Sequence, residues 1–360
     1  MVGAAIRILH LIQELRTGGA ERVVLTLCAG ALSRGDDIAV VAAPGDLDAE
    51  LRSLGHVLRV ELPVLAGRPA RTLPAVAATR RAVRTFRPDV VHAHNPRMAL
   101  LAGAATWRGR RVPALASIHG VAEDRWPATA RALRLSGLPV VACGPGVTSA
   151  LADEKVPLLA TVVNGVGPAP VADDRSSLLA AHDLPPDARL VVMVGRLSAV
   201  KNQALVIRAS ARLPDSVVLY LVGEGEERGR LAVLAGDLGV AERVVFAGRR
   251  PGRPVMAVAD VNCITSRSEG MPLAAIEAMA SGRPLVVTDV RGLRDIVDDG
   301  RTGLVVPADD SAALAAAIGR LLDEPALGAD LARAAGAAAA RWTDTAMLAG
   351  YDDCYRRLAR

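Results

Sequence analysis

Residues 260–284 read D-V-N-C-I-T-S-R-S-E-G-M-P-L-A-A-I-E-A-M-A-S-G-R-P. Val261–Thr265 has the apolar character of a strand buried on both faces, and the polar run after it ends that strand. Apolar residues return at Met271–Pro272, with proline placed to open a helix. Glu269 stands just before this helix. Glu277 lies inside it and shares a face with Leu273, because i and i+4 align. A helix that starts after Glu-Gly-Met-Pro presents backbone N–H groups and a positive dipole end to an anionic or hydroxyl-rich ligand.

The same strand–loop–helix order continues outward in both directions. Upstream, Leu190–Val194, Val217–Val222 and Val244–Phe246 read as strands, with helices over Asn202–Leu213 and Glu226–Leu238. Downstream, Pro284–Thr288 and Gly303–Val306 complete a second sheet. The first half repeats the scheme. Residues 6–12, Ile38–Ala43, Asp89–Ala93, Ala114–Ile118 and Val140–Cys143 read as strands, and Glu21–Ser33 and Leu73–Phe86 as helices. Strands alternating with helices imply parallel βαβ units. Residues 160–190, with Pro168, Pro170, Pro185 and Pro186, form the best linker, within which Ser176–His182 can hold a short helix. Trp342–Leu358 reads as a tail helix carrying Trp342, Tyr351 and Tyr355, and packing across both domains explains why aromatics collect there.

A chain of 360 residues exceeds one ordinary core and predicts two domains. Hydrophobic residues at 51% and charged residues at 22% give a globular balance. Aromatics are only 2%, which leaves few rings to stack bases and argues against nucleic-acid binding. Ala, Val and Leu take their place, a bias that points to GC-rich coding more than to function. Cys28, Cys143, Cys263 and Cys354 are scattered without a C-x-x-C pair. That argues against a zinc site and a disulfide scaffold, and fits a reducing cytoplasm. The opening M-V-G-A-A-I-R-I-L-H runs into a strand pattern, so no signal peptide or membrane span is expected. The net charge of +5 is uneven: Arg68 to Arg134 holds 13 arginines against Asp89, Glu123 and Asp124. Such a run is either a solvated face or a surface attracted to an anionic acceptor or membrane.

Several motifs compete for the chemistry. Gly18-Gly19 lets backbone approach a phosphate ahead of the Glu21–Ser33 helix, though a Gly-Gly turn is often no more than a turn. In Gly195-Arg196-Leu-Ser-Ala-Val-Lys201-Asn202, two cations after a buried strand are placed to clamp a diphosphate. No glycine precedes Lys201 and no Ser or Thr follows it, so this is not a P-loop. Gly144-Pro-Gly146 and Gly223-Glu-Gly225 each follow a strand, but Ser149 and Arg228 stand where a dinucleotide fingerprint needs glycine. His92-Ala-His94 offers two imidazoles with no third metal ligand in view. Asp46-Leu-Asp48 resembles a metal-holding D-x-D, but Asp48 reads better as a helix N-cap. Helical rise puts Glu269 and Glu277 about 12 Å apart, too far for a glycosidase pair at about 5–9.5 Å.

Taken together, Gly18-Gly19-Ala-Glu21, His119-Gly120, Val163-Asn-Gly165-Val166, Gly195-Arg196…Lys201-Asn202, Val222-Gly223-Glu-Gly225, Phe246-Ala-Gly248 and Glu269-Gly-Met-Pro…Glu277 resemble a retaining glycosyltransferase of family 4. The resemblance covers nearly the whole chain. It implies the GT-B fold, in which two Rossmann-like domains with parallel sheets face each other across a cleft. The divisions expected are 1–167 for the acceptor domain, 168–340 for the donor domain, and 341–360 for a helix packing back on the first. By position, the resemblance implies that Arg196 and Lys201 bind and stabilise the leaving diphosphate and that Glu277 holds the ribose. Glu269, with the backbone of Gly270, Met271, Pro272 and Leu273, would hold the transferred sugar. Gly18 and Gly19 would touch phosphate, His119 the sugar, and Gly223, Gly248 and Arg249 would frame the base. Met271 stands where the family often has Phe or Leu.

The implied reaction moves a hexosyl or N-acetylhexosaminyl group from a nucleoside diphosphate sugar, UDP-linked, to a glycan, lipid-linked or small-molecule acceptor. No metal cofactor is implied, since cations and helix ends meet the diphosphate charge. Retention places attack and departure on one sugar face, with the leaving phosphate oxygen helping to deprotonate the acceptor. The implied location is the cytoplasm, with peripheral contact to an anionic membrane at its inner face. A GT-B sugar-nucleotide 2-epimerase and a non-catalytic nucleotide-sugar-binding protein are the alternatives.

Overall fold

The apolar runs of the first half become seven strands in the computed structural model, which describes residues 4–65, 69–106 and 112–359. They are β1 (Arg7–Glu14), β2 (Asp37–Ala43), β3 (Val57–Glu61), β4 (Val90–Ala93), β5 (Ala114–Ile118), β6 (Val140–Ala142) and β7 (Leu158–Thr161). Their order is β3-β2-β1-β4-β5-β6-β7, with every pairing parallel. Central strands such as β2 and β4 are buried almost throughout, as the continuous Val and Ala runs dictate. Helices α1 (Gly19–Ser33), α2 (Asp48–Ser53), α3 (Thr72–Phe86), α4 (Pro96–Thr106), α5 (Trp126–Ser136) and α6 (Pro145–Asp153) connect them.

The second half forms a separate unit, Gly165–Thr343. Its strands are β8 (Arg189–Val194), β9 (Val217–Val222), β10 (Val244–Phe246), β11 (Val261–Ile264), β12 (Leu285–Thr288) and β13 (Leu304–Val306). They run in the order β10-β9-β8-β11-β12-β13, again all parallel. Its helices are α7 (Arg175–Ala180), α8 (Gln203–Ser210), α9 (Arg228–Asp237), α10 (Gly252–Met256), α11 (Leu273–Met279), α12 (Ser311–Asp323) and α13 (Pro325–Ala339). The last helix, α14 (Asp344–Ala359), rejoins the first unit, which comprises Met1–Asn164 and Asp344–Arg360. It buries Met347, Tyr351, Cys354 and Tyr355, and Leu348 fills the space beside Gly30 of α1.

Both sheets share the doubly wound order, in which the chain winds outward in one direction, returns to the middle and winds out in the other. Each therefore has a switch point where adjacent strands send their following loops to opposite faces, and ligands of such sheets lie there. In the first unit the switch point falls between β1 and β4, in the second between β8 and β11.

Some elements differ from the sequence reading. The half-exposed β3 carries Arg59 and Glu61 at the sheet edge, which hid its strand character. β7, not read as a strand, runs into the start of the stretch read as linker. Trp342 precedes the tail helix, which starts at Asp344. Asp48 is the first residue of α2 rather than its cap, and its carboxylate accepts from Gly45 N at 2.8 Å and from Arg59 Nε at 2.8 Å. Of the basic run, Arg68, Arg108, Arg110 and Arg111 lie outside the described residues.

Candidate active site

The switch point of the second unit brings together the two loops that the sequence singles out. The loop after β8 carries Gly195 to Asn202, and the loop after β11 carries Thr265 to Pro272. They meet at an ion pair: Lys201 Nζ donates to Glu269 Oε1 at 2.5 Å, with the side chains 29% and 9% exposed. Ser266, fully buried, donates its hydroxyl to the same Oε1, also at 2.5 Å. The Thr288 hydroxyl at the end of β12 in turn donates to the Ser266 carbonyl at 2.6 Å. Both of these side-chain bonds fall on Oε1 of Glu269.

The backbone beneath this pair is held closely. Thr265 donates its hydroxyl to the Asn202 carbonyl at 3.0 Å, tying the two loops together. Asn202 adopts φ 55°, one of the few non-glycine residues in the left-handed region, and its amide donates to Asp309 at 2.9 Å. Arg267 reaches Asp309 at 2.8 Å and the Ala199 carbonyl at 3.0 Å. Gly292, at φ 82°, lies so close to the Glu269–Gly270 backbone that an added Cβ would sit 2.6 Å and 2.5 Å from their carbonyl oxygens. Gly223, at φ 138°, leaves no room for a Cβ against the Gly195 carbonyl, 2.1 Å away. Here the near-fingerprint glycines serve loop packing, and Arg228 covers the Phe246 ring at 3.8 Å.

Arg196 is exposed on the β8 loop, its carbonyl accepting from Gln203 at 2.9 Å; among the described residues its guanidinium makes no ion pair. Gly248 takes φ 65°, and its carbonyl accepts from Gly223 N at 2.8 Å, while Arg249 beside it is exposed. Gly270, Met271 and Pro272 are buried. Pro272 is the extended cap of α11 (φ −74°, ψ 116°), one residue before the helix and not within it. Helical rise therefore counts only from Leu273 to Glu277, and the 12 Å separation expected from an unbroken helix does not apply. Leu273 and Glu277 lie on the less buried side of α11, as their spacing predicts.

In the first unit, Gly18 caps α1, and the Glu21 carboxylate occupies the space where a Gly18 Cβ would lie, 2.3 Å away. Gly19 is exposed with open space beside it. Asp46 braces this loop by accepting from Thr17 N at 3.0 Å.

The β1/β4 switch point supplies what the sequence did not reveal. His92 and His94 acquire a third imidazole, His10, which sits in register with His92 on the neighbouring strand. The three offer ring nitrogens within 4.8 Å of one another. Only the β1–β4 adjacency of a doubly wound sheet could have signalled this. His10 Nδ1 lies 3.0 Å from His94 Nε2, and His94 Nδ1 lies 3.2 Å from His119 Nε2. His92 instead bonds the Tyr355 hydroxyl (2.8 Å) and Ser117 (2.7 Å), and Ser117 donates to Tyr351 at 3.1 Å. Burial lowers His10 to about 3 and His119 to about 4. His92 and His94 are driven well below the usual imidazole range by burial first and then by neighbouring rings. All four are neutral at physiological pH.

Comparison with known proteins places these features. Residues 188–324 match the profile described as Glycosyl transferases group 1, and residues 17–167 that of Glycosyltransferase Family 4. The D-inositol 3-phosphate glycosyltransferase of Acidothermus cellulolyticus is 40% identical over 179 residues, 45% of this chain and 40% of that protein. The lipopolysaccharide core biosynthesis glycosyltransferase LpsE of Rhizobium meliloti is 40% identical over 163 residues, 45% of this chain and 46% of the relative. The aligned part is less than half the length of these curated relatives. Among solved structures, Anabaena HepE in complex with UDP-glucose superposes with a TM-score of 0.87 at 24% identity, over 98% of this chain and all of that one. Sucrose-phosphate synthase from Thermosynechococcus elongatus gives 0.86 at 21% identity, over 98% of this chain and 99% of that one. At such identities the likeness establishes the fold, which is GT-B.

Proposed function

Because the chain belongs to glycosyltransferase family 4, we propose that it is a retaining glycosyltransferase that moves a hexosyl or N-acetylhexosaminyl group from a UDP-sugar to a glycan, lipid-linked or small-molecule acceptor. The observation that carries this reading is the Lys201–Glu269 pair at the β8/β11 switch point. A carboxylate with one oxygen held by Lys201 and Ser266 accepts a sugar hydroxyl on the other. Lys201 and the exposed Arg196, whose guanidinium makes no ion pair among the described residues, meet the charge that grows on the diphosphate as it leaves. Glu277, one helical turn from Leu273, takes the ribose hydroxyls, and Gly223, Gly248 and Arg249 border the base. With two cations for the diphosphate, this reading assigns no resident metal. The UDP-glucose bound by the HepE neighbour supports the choice of UDP.

Exposed arginines of the first unit support the proposed acceptor class. Arg81, Arg84 and Arg87 on and beside α3 are exposed, which suits an anionic or membrane-borne acceptor, whereas Arg80 is engaged with the Ala104 carbonyl at 2.7 Å. No helix among the described residues is long and apolar enough to cross a membrane.

A thermal-shift screen of nucleotides and nucleotide sugars tests the donor, since a ligand at 100 times its dissociation constant adds about 2.7 kcal/mol. Product analysis with the stabilising donor then tests the reaction. Transfer with retained anomeric configuration supports the proposal, and an epimerised nucleotide sugar without acceptor overturns it.

A further inference from the structure

Helices α3, α4 and α5 lie side by side, with α4 packed against both neighbours. They follow β3, β4 and β5, three crossings that move in one direction along the first sheet, and right-handed crossovers put all three on one face of it. Arg80 ties α3 to α4 by donating to the Ala104 carbonyl at 2.7 Å. Gly103 of α4 lies so close to α5 that an added Cβ would sit 2.6 Å from the Ser136 carbonyl oxygen. The outer side of this layer is therefore one continuous surface.

Its stripes repeat at helical spacing. α3 exposes Leu73, Ala77, Arg81 and Arg84; α4 exposes Leu100 and Ala104 beside the half-buried Arg97; α5 exposes Ala128, Arg131 and Leu135. Among the described residues, Leu73 (80% exposed) and Leu135 (66%) are the two most exposed leucines. The three helices hold six arginines and no Asp, Glu or Lys.

The helices that simply face water are built differently. Arginines of α12, α13 and α14 pair with acids three or four residues away, as in Arg320–Glu324, Arg333–Asp330 and Arg357–Asp353. Among the described residues, none of the six arginines of α3, α4 and α5 forms an ion pair. The nearest acids in sequence lie outside these helices and are engaged: Asp89 accepts from Arg7 N at 2.8 Å, and Glu123 from Trp126 Nε1 at 3.3 Å. Cations without counter-charge, interleaved with bare leucines, suit a partner that offers fixed negative charge over an apolar layer. A nucleic acid supplies the charge but gives the leucines nothing to enter.

We propose that the α3–α4–α5 face is a docking surface for an anionic lipid bilayer. Arg81, Arg84 and Arg131 meet the headgroup phosphates, and Leu73 and Leu135 enter the boundary between headgroups and acyl chains. Docking needs neither donor nor acceptor, so it does not rest on the glycosyl-transfer reading.

The test is sedimentation of the full chain with vesicles of phosphatidylcholine and phosphatidylglycerol. Binding is expected at low salt, with release at about 0.5 M salt and none to phosphatidylcholine alone. The triple variant Arg81→Gln, Arg84→Gln, Arg131→Gln should bind about a hundredfold more weakly, each arginine counting for about fivefold. Arg230→Gln, Arg320→Gln, Arg333→Gln removes the same charge from the second unit and should stay within a few-fold of wild type. Insertion is read separately. The four cysteines are buried, so a polarity-sensitive thiol dye at Leu73→Cys or Leu135→Cys reports on this face, and its emission should shift to the blue with anionic vesicles. Val233→Cys on α9, where Val233 is 64% exposed, should show no shift. Absence of sedimentation, equal binding to phosphatidylcholine, equal loss in the second triple variant, an unmoved dye at both leucine positions, or tighter binding to a DNA duplex would each overturn the proposal. Docking by a protein that no nucleotide sugar stabilises would sink the glycosyl-transfer reading alone.

Discussion

Lys201 and Glu269 neutralise each other across the ends of two adjacent strands, with ammonium and carboxylate 2.5 Å apart. A diphosphate that needs the ammonium must therefore share it with the carboxylate. In Glu269→Gln this competition is gone. Titration calorimetry should show UDP binding several-fold tighter, about 1 kcal/mol, while sugar transfer falls about a hundredfold or more. Lys201→Ala should lose both affinity and turnover. Weaker UDP binding by Glu269→Gln would show that the pair does not compete with the nucleotide.

Gly292 supports Glu269 from below. Its φ of 82° and the 2.5 Å approach of the Gly270 carbonyl leave no place for a methyl group. Gly292→Ala should cost about 1–3 kcal/mol and lower turnover by moving the Glu269 backbone. Gly319 inside α12 has open space, so Gly319→Ala should stabilise by about 0.5–1 kcal/mol. Denaturant midpoints read both, and equal effects would refute the argument.

Tyr355 gives His92 Nδ1 its partner at 2.8 Å inside the first unit. Tyr355→Phe keeps the ring and orphans that nitrogen, so a loss of about 1–3 kcal/mol is expected in urea unfolding. An unchanged midpoint would mean that His92 finds another partner.

The buried histidines also make stability depend on pH. Their folded pKa values lie below the unfolded value of about 6.5, with His10 near 3 and His119 near 4. Below about pH 6.5 the unfolded chain takes up protons that the folded chain refuses, so stability falls with falling pH and is flat above that point. Each of the four contributes a slope of up to about 1.4 kcal/mol per pH unit. Unfolding midpoints between pH 7.5 and 5 measure it, and replacing His10 by Leu should flatten the curve.

What was legible in the sequence follows physical lines. Val217–Val222 and Val244–Phe246 are uninterrupted apolar runs between polar flanks, and their bounds coincide with β9 and β10. The cations at Arg196 and Lys201 and the carboxylate at Glu269 stood out because charge after a buried strand must face something. Ser266 and Thr288 were invisible, since small hydroxyls at strand ends look like ordinary turn residues until a partner is known. His10 was hidden for another reason: its contact with His92 spans 82 residues and exists only once β1 pairs with β4. The start of α11 was misjudged by one residue because proline suits both an extended cap and a first turn.

The return of α14 to the first unit bears on the order of biosynthesis. Gly165–Thr343 is one uninterrupted segment of the chain. The first unit cannot be completed until the whole of that segment has been translated, because Tyr351 and Tyr355 arrive last. Until then His92 and Ser117 lack their tyrosine partners. The nascent first unit thus waits open through about 180 codons, exposed to chaperones and proteases, and the tail helix is its closing clasp.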